Sequence, residues 1–196
     1  MKLLLKNARI YDGTGASAFT GDVLVENDRI AKVGGDLSGE TCDQTVDLTG
    51  LSLAPGFIDA HSHNDWFALR SDPLPYFAPF IRQGITTFVT GNCGISTVGF
   101  DRDCPHADVL GAGLFSFGDT KERSGSLQAY FAAADRAMPC NLAVLAGHCT
   151  SRAAVSGSVN RALTQEEENR MLGLLEEALQ QGAAGISLLM FLDSCM

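Results

Sequence analysis

The stretch Ala54-Pro55-Gly56-Phe57-Ile58-Asp59-Ala60-His61-Ser62-His63 decides the fold and the chemistry that the sequence predicts. A Pro-Gly turn leads into Phe57–Ala60, which predicts a short buried strand ending in His-x-His. Side chains on a strand alternate between its faces, so residues two apart share one face. We therefore expect His61 and His63 to point into one cavity and hold a metal ion, because neutral imidazole is a common zinc ligand. The alternative is that both histidines are polar loop residues.

A second motif is Gly84-Ile85-Thr86-Thr87-Phe88-Val89-Thr90-Gly91-Asn92-Cys93-Gly94-Ile95-Ser96, a β-branched strand followed by a glycine-bounded turn. In a parallel barrel the C-terminal ends of all strands face the same rim. Cys93 would then lie beside His61 and His63, where its thiolate is a strong zinc ligand. The alternative is a small buried apolar side chain. The flanking glycines favour a turn, and hence a ligand.

A third candidate is Gly147-His148-Cys149-Thr150-Ser151-Arg152, after the apolar strand Leu142–Ala146. His148 occupies the next rim position, and Arg152 is suited to hold a carboxylate with two parallel hydrogen bonds. His148 is alternatively a residue that only caps loop backbone. Asn64 and Asp65 follow His63 directly, and we expect them to orient an imidazole ring.

Composition sets the class of protein. The chain has 196 residues, of which 45% are hydrophobic and 19% charged, as in a globular protein with a core. A net charge of −9 argues against nucleic acid or anionic membrane as a partner. The apolar run at Leu3–Leu5 is too short for a signal peptide, which predicts a cytoplasmic protein. In that compartment the six scattered cysteines are expected to be free thiols.

The chain is predicted to contain two domains, at residues 1–54 and 55–196. In the first, strands are expected over residues 2–11, 22–33 and 46–48, with a hairpin turn at 26–29. In the second, strands are expected at 57–60, 85–90, 142–146 and 185–190, and helices at 74–83, 127–138 and 165–181. A capping box at Thr164–Glu167 marks the last helix, whose acidic first turn complements its dipole.

Alternation of strands and helices predicts an α/β fold with a parallel sheet. Four such units match half of a (β/α)₈ barrel, whose full size is about 250 residues. Because the sequence stops after its fourth strand, we expect an incomplete barrel with two unpaired sheet edges open to self-association. A small, complete doubly wound sheet is the alternative.

These motifs resemble the amidohydrolase superfamily, and within it the D-aminoacylase or N-acyl-D-amino-acid deacylase family. The resemblance rests on residues 54–65 and 84–96, above all on the Asn-Cys-Gly turn at 92–94, and on Gly-His-x-Thr-x-Arg at 147–152. Many relatives, such as dihydroorotases and hydantoinases, instead use a carbamylated lysine on the fourth strand. The fourth predicted strand here has no lysine, which agrees with the cysteine type.

The resemblance implies a zinc-dependent hydrolase with one or two zinc ions and a small β-sandwich built from both chain ends. His61 and His63 correspond to the first-strand metal ligands and Cys93 to the cysteine ligand. The implied reaction hydrolyses an N-acyl-D-amino acid, a small-molecule substrate, to a carboxylate and a D-amino acid with metal-activated water. A cyclic amidase of the dihydroorotase or hydantoinase kind is the alternative enzyme.

Part of the implied site is expected to be missing. The family takes further zinc-binding histidines from strands five and six and a general-base aspartate from strand eight, none of which this sequence contains. An inactive fragment, or a half barrel that only binds metal, is therefore the alternative to an enzyme.

Overall fold

The computed structural model describes residues 1–100, 106, 125–135, 137–157, 159 and 161–189. Its contacts divide the chain into two compact units, Met1–Gly56 and Phe57–Met196. In the described part of the chain no helix has the length and apolar character needed to cross a membrane.

The first unit is a single five-stranded sheet. Its strands are β1 (Lys2–Ile10), β2 (Phe19–Glu26), β3 (Arg29–Gly34), β4 (Gln44–Asp47) and β5 (Ser52–Leu53). The order is β3-β2-β1-β4, with β5 also paired to β1. The predicted hairpin is confirmed: Glu26 faces Arg29, and Asn27 takes the positive φ of 56° that such a tight turn requires.

The buried side chains of the first unit are mostly aliphatic, and one carboxylate lies among them. Asp22 is only 2% exposed. It accepts hydrogen bonds from the backbone amides of Asn7 and Leu37, both at 2.9 Å. These bonds satisfy the buried carboxylate, which would otherwise be costly to remove from water.

The second unit is built on a four-stranded parallel sheet. Its strands are β6 (Phe57–Asp59), β7 (Ile85–Thr90), β8 (Asn141–Gly147) and β9 (Gly185–Ser187), and they lie side by side in chain order. The helices are α1 (Leu74–Ile81), α2 (Leu127–Ala134), α3 (His148–Ser156) and α4 (Gln165–Gln180), with a 3₁₀ helix at Asn64–Phe67. The doubly wound alternative requires a reversal of strand order, which these four strands do not have.

Most predicted elements of the second unit are confirmed, and β7 has the predicted bounds. The predicted last strand ends early, at Ser187, while Met190 lies outside the described residues. Helix α3 and the 3₁₀ helix were not predicted. The expectation of a buried first strand is wrong: Phe57 is 62% exposed and Ile58 65%. Among the described strands β6 pairs only with β7, so one edge and its apolar side chains are uncovered.

Aromatic and aliphatic side chains, chiefly from α1, α2, β7 and β8 with two from connecting segments, form the main core of the second unit. Its fully buried members are Ala68, Phe77, Phe88, Val98, Leu127, Tyr130 and Val144. Helix α4 packs separately on β8, through Met171, Leu175 and Ala178 against Ala146. The sheet is thereby packed against helices behind the strand ends that carry the candidate site.

The predicted capping box at the start of α4 is present and is reinforced by an arginine. Thr164 Oγ1 accepts from the Glu167 amide at 3.2 Å, and Glu167 Oε2 accepts from the Thr164 amide at 2.8 Å. The guanidinium of Arg161 donates to both Glu167 oxygens at 2.6 Å. The Arg161 hydrogen bonds, followed by the Thr164 amide, lower the pKa of Glu167 to about 2.

We expect the Glu167 contacts to make stability depend on pH in acid. A carboxyl whose pKa is lowered on folding stabilises the fold above its unfolded value of 4.5, and this contribution is lost as the pH falls towards about 2. The difference in unfolding free energy between wild type and Glu167→Gln, measured with urea, should therefore become smaller as the pH falls from 4.5 towards about 2. Glu166→Gln, in the same turn but outside the capping box, is the control. A gap independent of pH would contradict the prediction.

Candidate metal centre

The His-x-His motif lies in the turn after β6, not on the strand itself. β6 ends at Asp59, and His63 immediately precedes the 3₁₀ helix Asn64–Phe67. Strand alternation is thus not what brings the two histidines together, and this part of the expectation is wrong. The turn nevertheless brings them close, with ring centroids 5.9 Å apart in an edge-to-face arrangement. Burial, followed by the charge of His61, lowers the pKa of His63.

Cys93 lies in the turn after β7, where the backbone is unusual. Gly91, Cys93 and Gly94 all have positive φ angles, of 76°, 55° and 72°. A non-glycine residue rarely adopts this left-handed conformation, so the surroundings of Cys93 must hold it there. The result is that Cys93 Sγ lies 3.3 Å from His61 Nε2.

The three predicted ligands converge. One donor atom from each of His61, His63 and Cys93 lies within 4.8 Å of the other two. A tetrahedral zinc ion with the usual bond lengths separates a bound sulfur from a bound nitrogen by about 3.6 Å. The observed 3.3 Å between Cys93 and His61 is close to that value. Two imidazoles and one thiolate therefore fit zinc in both chemistry and spacing.

Asn92 links the two ligand-bearing turns. Its side-chain amide donates to the carbonyl oxygen of Ser62, between the two histidines, at 3.3 Å, and to that of Val89 at 2.9 Å. The Ser62 amide in turn donates to Val89 O at 3.0 Å. The turn after β6 is thus tied to the end of β7, which limits how far the histidines can move from Cys93.

Hydroxyl groups from α3 and β9 hold the other side of the Cys93 turn. Thr150 Oγ1 accepts from the Ser96 amide at 3.0 Å and donates to Ser96 O at 3.2 Å. Ser96 Oγ accepts from the Gly147 amide at 3.0 Å. Ser187 Oγ accepts from the Gly94 amide at 3.0 Å and also donates to Gly91 O. Sequence reasoning assigned no role to these hydroxyl groups, although Thr150 and Ser96 lie in the quoted motifs, because their partners are far apart along the chain.

Asp65 is buried, but its carboxylate contacts the loop beyond Cys93 and not an imidazole as expected. Asp65 Oδ2 accepts from the Thr97 amide at 3.0 Å, and the Tyr130 hydroxyl donates to the Asp65 carbonyl oxygen at 3.0 Å. Burial raises the pKa of Asp65 to about 7. Within the described residues Asp65 Oδ1 and the Asn64 side-chain nitrogen have no hydrogen-bond partner.

His148 and Arg152 lie on α3, beside the C-terminal end of β8. His148 is half-buried, and burial, followed by the charge of Arg152, lowers its pKa. It is not part of the three-residue cluster found among the described residues. Arg152 donates to the backbone carbonyl of Arg161, a neutral oxygen, and its guanidinium contacts no carboxylate among the residues that the structure describes.

The expectation of free thiols is partly wrong. Cys42, Cys93 and Cys140 are free, whereas Cys149 is disulfide-bonded. The remaining two, Cys104 and Cys195, lie outside the described residues. The predicted metal ligand Cys93 therefore has the free sulfur that metal binding needs.

We expect Gly91→Ala to disrupt the Cys93 turn. An added Cβ would lie 2.1 Å from Leu145 O, a fixed backbone atom of β8. Gly182→Ala is the matched control, because Gly182 also has a positive φ, of 102°, while its Cβ would meet no atom closer than 3.8 Å. The control should lose about 1–2 kcal/mol of unfolding free energy because a residue with a Cβ is disfavoured at positive φ, and Gly91→Ala about 1–3 kcal/mol more from the clash. Equal losses in urea unfolding would contradict the predicted clash.

The amidohydrolase family matches residues 44–193. Among curated proteins, the chain is 41% identical over 191 residues to a D-aminoacylase of Alcaligenes xylosoxydans xylosoxydans, covering 94% of the chain and 37% of that protein. It is 40% identical over 187 residues to an N-acyl-D-aspartate deacylase from the same organism, covering 94% and 36%.

Solved structures agree with these matches. A D-aminoacylase with a binuclear metal centre superposes with a TM-score of 0.78 at 38% identity, over 95% of this chain and 38% of that one. The N-acyl-D-glutamate deacylase of Bordetella bronchiseptica, complexed with zinc and a phosphonate inhibitor, gives 0.77 at 33% identity over the same shares. The chain thus spans little more than a third of the length of these relatives. It belongs to the amidohydrolase family.

Proposed function

We propose that this chain is the metal-binding part of a zinc-dependent N-acyl-D-amino-acid deacylase. The observation that carries the proposal is the convergence of His61, His63 and Cys93 at the ends of two neighbouring parallel strands. The reaction hydrolyses a linear amide and releases a carboxylate and a D-amino acid. The similarity to D-aminoacylase and to two N-acyl-D-amino-acid deacylases supports this substrate class.

The domain assignment belongs to the same proposal. Residues 55–196 would form the N-terminal half of a (β/α)₈ barrel, and residues 1–54 part of a small β-sandwich. The four parallel strands in chain order support the barrel, because neighbouring strands of such a barrel follow one another along the chain.

Within the proposed site the residues have separate roles. His61, His63 and Cys93 would hold one or two zinc ions, and a bound zinc ion polarises a carbonyl oxygen and makes water more acidic. His148 and Arg152 follow β8 at the same edge of the sheet, which supports a place beside the substrate. Arg152 would have to exchange its contact with Arg161 O for the substrate carboxylate. Asp65 holds the loop after Cys93 in place through Thr97.

A metal-binding half barrel without catalysis is the second candidate. It is supported by the three metal donors that converge among the described residues, which would bind an ion whether or not catalysis follows. A base and a metal-bound nucleophile act together, so an incomplete set loses most of the rate.

Zinc content and amide hydrolysis test the proposal together. We expect the 196-residue chain to bind zinc in equilibrium dialysis and to hydrolyse N-acetyl-D-amino acids slowly at most. Turnover that prefers the D over the L isomer and disappears in Cys93→Ala would support a deacylase. Zinc binding without turnover would favour the second candidate for the isolated chain. A chain that binds no zinc would contradict both.

A further inference from the structure

One hydroxyl group contacts both sides of the Cys93 turn. Ser187, at the end of β9, accepts a hydrogen bond from the Gly94 amide at 3.0 Å and donates its own proton to Gly91 O. Gly91 and Gly94 are the residues that bracket Asn92 and Cys93. Since a serine hydroxyl has one donor and can accept at the same time, a single side chain makes both interactions.

The two hydrogen bonds of Ser187 matter because the backbone of the Cys93 turn is in an unfavourable conformation. Cys93 has a φ of 55° between Gly91 at 76° and Gly94 at 72°. A residue with a Cβ leaves the left-handed region when its surroundings allow it, because other backbone conformations are lower in energy. A change in φ at Cys93 would swing its Sγ away from His61 Nε2, which lies 3.3 Å away.

Ser187 is also well shielded from solvent. The residue is only 9% exposed. Without the hydroxyl, the Gly94 amide and the Gly91 carbonyl would lose a buried partner, which favours rearrangement of the turn. Its chain neighbours Ile186 and Leu188 are 43% and 59% exposed, and their hydrocarbon side chains have no polar group that could take over these hydrogen bonds.

We propose that Ser187 is a positioning residue that sets the place of the Cys93 sulfur in the metal centre. The inference rests on the proposed function of His61, His63 and Cys93 as metal ligands. Ser187 acts through the backbone of the turn and does not itself bind the metal.

Three variants of the full chain test the inference. Ser187→Ala removes the hydroxyl with little change in volume, and Ser187→Thr restores a hydroxyl at the same place. Ser156→Ala is the control. The Ser156 hydroxyl donates to Arg152 O at 3.0 Å, so this variant also loses a hydrogen bond within the second unit, but away from the turns that carry the metal ligands.

The first measurement is metal affinity. Zinc should bind to Ser187→Ala about 10- to 100-fold more weakly than to wild type, as is typical when a group that orients a ligand is lost. In the cobalt(II)-substituted protein the thiolate-to-cobalt charge-transfer band should weaken. Ser187→Thr and Ser156→Ala should keep the wild-type affinity and band. If Ser187→Ala binds zinc as wild type does and keeps the band, the inference is overturned.

The second measurement needs no metal and separates this inference from the proposed function. In the metal-free chain, hydrogen exchange at the Gly94 amide should be at least about tenfold faster in Ser187→Ala than in Ser156→Ala. Faster exchange shows that Ser187 holds the Cys93 turn, and it does so even if wild type binds no zinc, a result that would defeat the proposed function. An unchanged exchange rate overturns the inference, whatever the metal does.

Discussion

Replacing Cys93 by serine is expected to abolish tight zinc binding. The sulfur lies 3.3 Å from His61 Nε2, and its turn is held by contacts to Ser62, Val89 and β9. Loss of a residue that merely orients a ligand costs about 10- to 100-fold in metal affinity, so loss of a ligand should cost at least about 100-fold. Isothermal titration with zinc measures the change directly.

A matched cysteine controls this experiment. Cys42 is also a free thiol, but it lies in the first unit, with its sulfur 3.2 Å from Thr45 Oγ1. Cys42→Ser should keep the wild-type zinc affinity. If both variants bind zinc as wild type does, Cys93 is not a ligand and the proposed metal centre is wrong.

The second large effect concerns the stability of the parallel sheet. Phe88 on β7 is completely buried, and its ring meets those of Phe77 and Phe80 edge-to-face, with both centroid distances at 5.4 Å. Phe88→Ala removes these contacts and leaves a cavity, which typically costs about 3–5 kcal/mol. Since a domain is stable by about 5–15 kcal/mol, we expect much of the second unit's stability to be lost.

Chemical unfolding of Phe88→Ala and Phe57→Ala provides the comparison. Phe57 is the same residue type on the neighbouring strand, but it is 62% exposed. Its replacement should change the unfolding free energy by less than about 0.5 kcal/mol. Comparable losses in the two variants would show that the core does not lie where the structure has it.

Local sequence signals were sufficient for most, but not all, of the regular elements. The β-branched run Ile85–Thr90 has the predicted bounds, and α4 begins at its capping box. Both signals act over a few residues, through side-chain alternation and backbone capping. Helix α3 was missed because Gly147 and His148 were interpreted as the start of a rim loop, although the helix begins directly at His148.

The candidate metal ligands were also predicted from the sequence, since the imidazoles of His-x-His and the thiol of the glycine-bounded Cys93 are zinc-binding groups. Their convergence within 4.8 Å was decided by the tertiary structure. Parallel pairing of β6 with β7 brings together two turns that lie about thirty residues apart. Ser187 contacts the Cys93 turn across 93 residues of sequence, and this contact depends on the pairing of β9 with β8. Such contacts leave no local pattern, because a hydroxyl's partner depends on how strands meet and not on its neighbours in the chain.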